Sequence, residues 1–431
     1  MISLEFYNPS EKIRLMRKKF RVNQAELEGT NMTRAFISMM ESGKRTVSKA
    51  SSKALAEKFN EIAKRISVNL NLDDEYFSRK PEEDARLYCE EQLTNGETLS
   101  YKKLDELMTT SKKFNLVDIL ARVYEVNGKK YVKEQNDMNA FINFSNALGK
   151  YKELRDDRAQ ASVYNNLGNC KYRRKEYDEA IFYYKQAIEL SSAQSDSIIY
   201  IKASLNLALC YNEKKEYKKG LNIIDNNVLK NEEEVTSKII NEAKLTRAVI
   251  LNSLNRGEEA VKEYFSLIDI IKDTDDILLA YVYNNLSDYY YNIEEYSKSL
   301  HYISQAQRLK SLVDKRTLPN TLNTKGKIFL KQGMYEESSM LFQLAIDIAL
   351  EHKQYNMMFE NYRELVNVYE YEEEWEKIRE ITKAFLENIE SNNIELGKKY
   401  ALYKLTEVSL RLGESEEAVN TLKKLDSLLI Y

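Results

Sequence analysis

The chain has 431 residues, among them only three prolines and twelve glycines, with 31% charged side chains and a formal net charge of −3. So few breakers over such a length exclude a β-rich or collagen-like protein and predict a nearly all-helical chain, long enough for more than one domain. No apolar run is long enough to cross a bilayer and no signal-peptide pattern is present, while Cys89, Cys170 and Cys210 are odd in number and far apart; together these predict a soluble protein of a reducing cytoplasm.

Charge is unevenly spread. Residues 1–70 carry 14 Lys and Arg against 7 Asp and Glu, and a basic end on an acidic body predicts that one small part meets nucleic acid. In that part, Pro9-Ser10 opens a helix over 11–20 with Ile13 and Met16 as its apolar stripe. Asn23-Gln24-Ala25-Glu26-Leu27 has the spacing of a capping box on a short second helix. Thr33 then caps a third helix over 34–41, and Gly43 suits the left-handed residue past its end. Two more helices are expected in 48–66, with Leu55, Phe59, Ile62 and Ile66 facing a small core.

This order resembles the helix-turn-helix domain of phage-repressor type over residues 10–66. The resemblance is carried by Arg17, Asn23 to Leu27, Ile37-Ser38 and Glu41-x-Gly43-Lys44-Arg45. Glu28-Gly29 departs from it, standing where a small alanine is usual. The resemblance implies that the third helix enters the major groove. Arg34 would then pair with guanine, Ala35 and Met39 would lie against thymine methyls, and Gln24, Thr33, Lys44 and Arg45 would hold phosphates. Phe36 divides between core and DNA contact, and Arg17 with Glu41 is implied as a structural ion pair.

Residues 71–83 read as a linker, 84–160 as irregular helix pairs, and 161–431 as seven repeats. The repeats are marked by Ala180, Gly220, Ala260, Ser299, Ser338, Ile378 and Ala418, spaced 39 or 40 residues apart. Leucines recur thirteen residues before most markers (Leu167, Leu207, Leu286, Leu365, Leu405). Such a fixed period predicts stacked helix pairs. Tyr164, Leu167, Gly168, Ala180, Tyr184 and Ala187 resemble the tetratricopeptide pattern, whose period is shorter, roughly 34 residues. Longer helices or turns are therefore expected, in an α-solenoid that the resemblance implies is a right-handed superhelix with a concave groove.

Groove positions carried over from that pattern include Asn165, Asn166, Asn169, Leu205, Asn206 and Leu209. Further along they include Leu245, Val249, Asn284, Asn285, Asp288, Asn323 and Lys327. An asparagine amide both donates and accepts, so it can pair with a peptide backbone of any sequence, and the apolar members can receive side chains. The alternative is that exposed positions of a tyrosine- and asparagine-rich chain simply drift.

No phosphate-binding loop, Cys-x-x-Cys pair or His-Glu-x-x-His occurs, and His301 and His352 sit on separate repeats. The expectation is no metal, no cofactor and no catalysis. The combination of a repressor-type head with such repeats is similar to the peptide-responsive quorum-sensing regulators of Gram-positive bacteria (Rgg, Rap, NprR, PlcR and PrgX types), and within them to clostridial sporulation and toxin regulators. What the resemblance implies is a cytoplasmic homodimer that binds double-stranded operator DNA and a short signalling peptide. A second reading is a repeat adaptor that binds a response regulator. Leu405 to Leu429 are the expected dimer contact, because Leu422, Leu425, Leu428, Leu429 and Ile430 have no following repeat to cover them.

Overall fold

A computed structural model describes residues 5–29, 32–94, 98–193, 197–234 and 236–428. These residues form an all-helical, tetratricopeptide-like α-solenoid with no strand beyond an isolated bridge between Gly29 and Met32. The chain divides into two compact units, Met1–Cys210 and Tyr211–Tyr431.

The first unit opens with α1 (Pro9–Phe20), a 3-10 turn (Gln24–Leu27), α2 (Arg34–Glu41) and α3 (Lys49–Arg65). Local chemistry sets these boundaries. Asn23 Oδ1 accepts from the amides of Ala25 and Glu26 at 2.9 and 3.1 Å, and Glu26 Oε1 accepts from the Asn23 amide at 2.9 Å, so three backbone donors at the start of the turn are satisfied. Thr33 Oγ1 accepts from the Phe36 amide, and Gly43 adopts φ +74° after α2. Instead of the two helices expected in 48–66 there is one continuous helix, because no glycine or proline interrupts it. Leu55, Phe59 and Ala63 are buried, whereas Ile66, expected in the core, lies past the last turn and is 59% exposed.

Residues 71–80, expected as part of a linker, pack on this bundle. Phe77 is fully buried with its ring 5.3 Å from that of Phe59, and Asn60 exchanges two hydrogen bonds with the backbone of Leu72 at 2.8 and 2.9 Å. Buried Lys12 donates to the carbonyls of Tyr76 and Arg79 and pairs with Asp84. Desolvation pulls its pKa down and the bond to Asp84 opposes this, the net shift being downward.

There follow α4 (Pro81–Leu93), α5 (Tyr101–Lys113), α6 (Val117–Lys133), α7 (Asp137–Leu154), α8 (Asp157–Arg173), α9 (Tyr177–Ala193) and α10 (Ser197–Glu213). The second unit continues with α11 (Tyr217–Ile223), α12 (Ser237–Ser253), α13 (Gly257–Ile271), α14 (Asp276–Asn292), α15 (Tyr296–Val313) and α16 (Leu318–Lys331). Its last helices are α17 (Tyr335–Glu351), α18 (Tyr355–Tyr371), α19 (Trp375–Ser391), α20 (Lys398–Arg411) and α21 (Ser415–Ser427). The long period comes from the helices: α8, α9 and α10 each have 17 residues, and turns such as 174–176 are short. Each such turn places one residue in the left-handed region, Lys175 at φ 61° and Gly333 at φ 74°, so that the next amide closes on the helix, as Glu176 N does on Lys171 O at 3.0 Å.

Within a repeat the first helix offers a small residue where the second presents a large one. A Cβ on Gly168 would lie 2.5 Å from the Tyr184 ring, and one on Gly326 would lie 2.8 Å from the Phe342 ring. Gly128 stands under Phe144 in the same way, at 2.7 Å, and Ala140 is fully buried forty residues before Ala180. The regular packing therefore already holds in α6 and α7, within the segment expected to be irregular. Where the markers are serines, hydroxyls fill the contact: Ser287 and Ser299 each donate to the other's carbonyl, at 2.9 and 2.8 Å.

One helix departs from this regularity. After α11 the backbone widens into a π turn (Ile224–Val228) and then tightens into a 3-10 segment (Leu229–Glu234). Near the end of the chain, Leu425 and Leu428 pack against the cluster that holds buried Leu405, so of the residues expected to be uncovered only Leu422 is strongly exposed among those described. Leu429 and Ile430 lie outside the described residues.

Gly168→Ala is expected to destabilise the protein by about 1–3 kcal/mol, the usual cost of overpacking a filled core, as measured by chemical denaturation. An unchanged midpoint would mean that Tyr184 moves aside freely.

Candidate functional site

Two surfaces gather the residues singled out by sequence. The first is α2 and the turn after it. Thr33, Arg34, Ala35 and Met39 are exposed, as are Lys44 and Arg45, while Ile37 and Met40 on the opposite side are fully buried. Phe36 is half-buried with the Arg45 guanidinium 4.3 Å from its ring centre. Behind α2, Arg17 Nη2 meets Glu41 Oε1 at 2.9 Å, linking α1 to α2. Gln24 Nε2 donates inward to Glu41 Oε2 at 2.6 Å, so that amide N–H is engaged within the unit. Burial raises the Glu41 carboxyl, but the hydrogen bonds from Arg17 and Gln24 outweigh it and hold the group below its usual range. The Glu28 carboxylate accepts from the Arg34 amide at 2.8 Å, at the positive end of the helix.

The second surface is the row of amides on the first helices of the repeats. In the first unit, Asn206 on α10 donates to Asn165 Oδ1 at 3.0 Å and to Asn169 Oδ1 at 3.1 Å, both on α8. Tyr184 Oη also donates to Asn169 Oδ1 at 2.8 Å. Asn166 and Leu209 are half-buried beside them, and Leu205 is buried.

In the second unit, Leu245 and Val249 are half-buried on α12. The expected ligand amides there are largely engaged by the protein itself. Asn284 is 4% exposed: its Oδ1 accepts from Thr321 Oγ1 at 2.8 Å and from Lys310 Nζ at 3.3 Å, and its Nδ2 donates to Asp288 Oδ2 at 3.3 Å. Asn285 donates to the Tyr281 carbonyl, and buried Asn323 donates to Asn361 Oδ1 at 3.0 Å. Lys327 pairs with Glu364 at 3.2 Å, on the wall of a cavity of about 560 Å³ between α14, α16 and α18 that Tyr291 and Tyr371 also line. A larger cleft of about 940 Å³ among α19, α20 and α21 is distinct from the amide row, and the pairs Arg379–Glu414 and Lys383–Glu417 lie on its wall.

Two titrating groups stand out in the second unit. Burial pushes the Asp288 carboxyl up to about 6, against the opposing hydrogen bonds from Thr324 and Asn284. Burial likewise pulls the Lys310 ammonium down to about 8. Lys310, Thr321, Thr324 and Asn361 were not among the residues singled out by sequence. Lys310 carries a readable signal, a lysine in a register position where neighbouring repeats place Ile271, Ala349 and Ile389. No group of three or more His, Cys, Asp or Glu suited to a metal occurs among the described residues, and no described helix is long and apolar enough to cross a membrane.

Comparison with known proteins bears on the repeats. The tetratricopeptide repeat model matches residues 161–192. Response regulator aspartate phosphatase E of Bacillus subtilis is 24% identical over 241 residues, a match spanning 54% of this chain and 63% of that relative. Among solved structures, aspartyl phosphate phosphatase F from Bacillus subtilis superposes with a TM-score of 0.53 at 14% identity, covering 92% of this chain and 97% of that one. A Rap protein complexed with competence and sporulation factor gives 0.50 at 14%, covering 80% and 98%. The chain thus shares the fold of Rap-type repeat proteins. Two of these relatives are named as phosphatases, which leaves the expectation of no catalysis without support from them.

Because the Asp288 carboxyl titrates above its unfolded range, its ionisation opposes folding: the cost is absent at acid pH, grows as pH rises from the ordinary carboxylate range to about 6, and is constant above that. Asp288→Asn is accordingly expected to stabilise the protein by about 1–2 kcal/mol at neutral pH, with the gain vanishing toward pH ~4 in denaturation series run at several pH values.

Proposed function

We propose that the chain is a cytoplasmic, peptide-responsive transcriptional regulator. Its first 70 residues act as a repressor-type helix-turn-helix head on double-stranded operator DNA, and the amide-bearing repeats take up a short signalling peptide. The observation that carries this reading is the coexistence in one chain of two features: an exposed face of α2 that carries Arg34, followed by exposed Lys44 and Arg45 and held from behind by Arg17–Glu41, and rows of asparagines on successive first helices. Arg34, Ala35 and Met39 have the placement for base contacts, and Lys44 and Arg45 for phosphates. Thr33 supports the phosphates through the helix start, and Gln24 through the N–H that Glu41 leaves free.

On the peptide side, Asn165, Asn166, Asn169 and Asn206 with Leu205 and Leu209 form the contact in the first unit. In the second, Leu245, Val249, Asn285, Asp288 and Lys327 line it, with buried Asn284 and Asn323 supporting them from behind. The peptide shifts the protein only by binding one conformation better than another. A homodimer would present two heads to a two-fold operator. The programme controlled follows the finer resemblance, to RstA-like clostridial regulators of sporulation and toxin genes.

A second reading rests on the names of the relatives, two of which act on phosphorylated aspartate or response regulators. Here the repeats bind a response regulator directly, and DNA binding is secondary.

Genome-wide occupancy in the native cell tests the first reading. Sharp sites are expected for the wild type and their loss for Arg34→Ala with Met39→Ala, while Lys44→Ala weakens all sites about equally. Occupancy that is the same for wild type and double mutant would overturn it. The pair Asn165→Ala and Asn284→Ala is expected to abolish the response to added peptide in a reporter strain; an unchanged response favours the response-regulator reading.

A further inference from the structure

Lys310 is out of place in its register. Eleven residues after their markers, Ile271, Ala349 and Ile389 fill the core, and Lys310 is buried to the same depth at 1% exposure. A buried ammonium is costly unless well compensated, yet its compensation is thin: one hydrogen bond, to Asn284 Oδ1 at 3.3 Å, and the Tyr281 ring at 4.8 Å. Asp288 and Asp314 attract it electrostatically, but neither forms an ion pair with it among the described residues.

What Lys310 does is orient Asn284. With Thr321 it occupies the amide oxygen, so the amide nitrogen turns to Asp288 Oδ2. Asp288 is left with two neutral donors, Asn284 and Thr324 Oγ1 at 3.1 Å, although a carboxylate accepts about four hydrogen bonds. The surrounding charges do not fill the deficit. Lys327 on α16 is held by Glu364, and Glu263 on α13 is held by Arg247. The Tyr264 hydroxyl, also on α13 and within electrostatic reach of Asp288, is buried without a partner.

We infer that Asp288 is the anchor for a cationic nitrogen of the bound peptide, an ammonium or a guanidinium, with Lys310 as the positioning residue behind it. This rests on the peptide reading above. Lys310 itself cannot meet the ligand, being buried, whereas Asp288 is only partly covered. A half-satisfied carboxylate without a cation binds a positive group strongly, and the positive charge behind Asn284 keeps it ionised for that task.

The test offers a random pentapeptide library, as free-amine and N-acetylated pools, to the full chain at about pH 7.5 and about pH 5, with retained peptides identified by mass spectrometry after gel filtration. Wild type is expected to enrich peptides carrying Lys or Arg at one position; if the terminal amine is the cation, acetylation removes retention instead. Binding should fall as pH drops through about 6, approaching tenfold per pH unit. Asp288→Asn should lower retention of cationic peptides about tenfold or more. Lys310→Met, which restores an apolar side chain to the register, should keep the preference but move the midpoint of the pH profile upward. Retained peptides without cation preference, or the same set retained by Asp288→Asn, overturn the inference and leave the peptide reading standing. If wild type retains no peptide from either pool, the peptide reading falls and this inference with it.

Discussion

The architecture depends on one steric exchange, a small residue on the first helix of a repeat beneath a ring or branched chain on the second. Gly168 under Tyr184 and Gly326 under Phe342 let the ring of the second helix rest directly on the backbone of the first. Dispersion over such a contact is large only because nothing is left between the helices. The 17-residue helices and short turns follow from it, since each turn must return the chain at the spacing this contact sets. Ser287 and Ser299 show that the exchange admits polar atoms if every donor and acceptor is paired.

The polar rows of the first helices exist against that background. In the first unit three asparagines and a tyrosine hydroxyl satisfy one another, which fixes amide orientations before any ligand arrives. In the second unit the network is charged and less complete. Lys310 and Asp288 both titrate away from their ordinary values because burial is not matched by pairing. Perturbed titration of this kind is concentrated at functional sites.

Much of the fold was legible because its signals are local. The capping at Asn23 and Thr33 needed only neighbours three residues away, and the repeat period needed only the alternation of small and large side chains. The run 49–65 is expected as two helices, although no glycine or proline interrupts it and it forms one. The docking of Phe77 was not legible, since its partner Phe59 lies on another element and the stretch between them resembles a loop. The amides were harder still. Asn284 reads as an exposed groove residue until Lys310 and Thr321, on two other helices, are seen to hold its oxygen. Lys310 is marked in the sequence only as a charge at the position where Ile271, Ala349 and Ile389 stand in neighbouring repeats.

The π turn at Ile224–Val228 and the 3-10 segment after it have an effect that residue spacing conceals. A π turn widens the helix and a 3-10 segment tightens it, and the non-helical backbone of Asn231 kinks the latter, although Gly220 still precedes Ala260 by forty residues. Side chains along this stretch therefore leave the 3.6-residue register of α11 and face directions that a continuous α-helix would not give them.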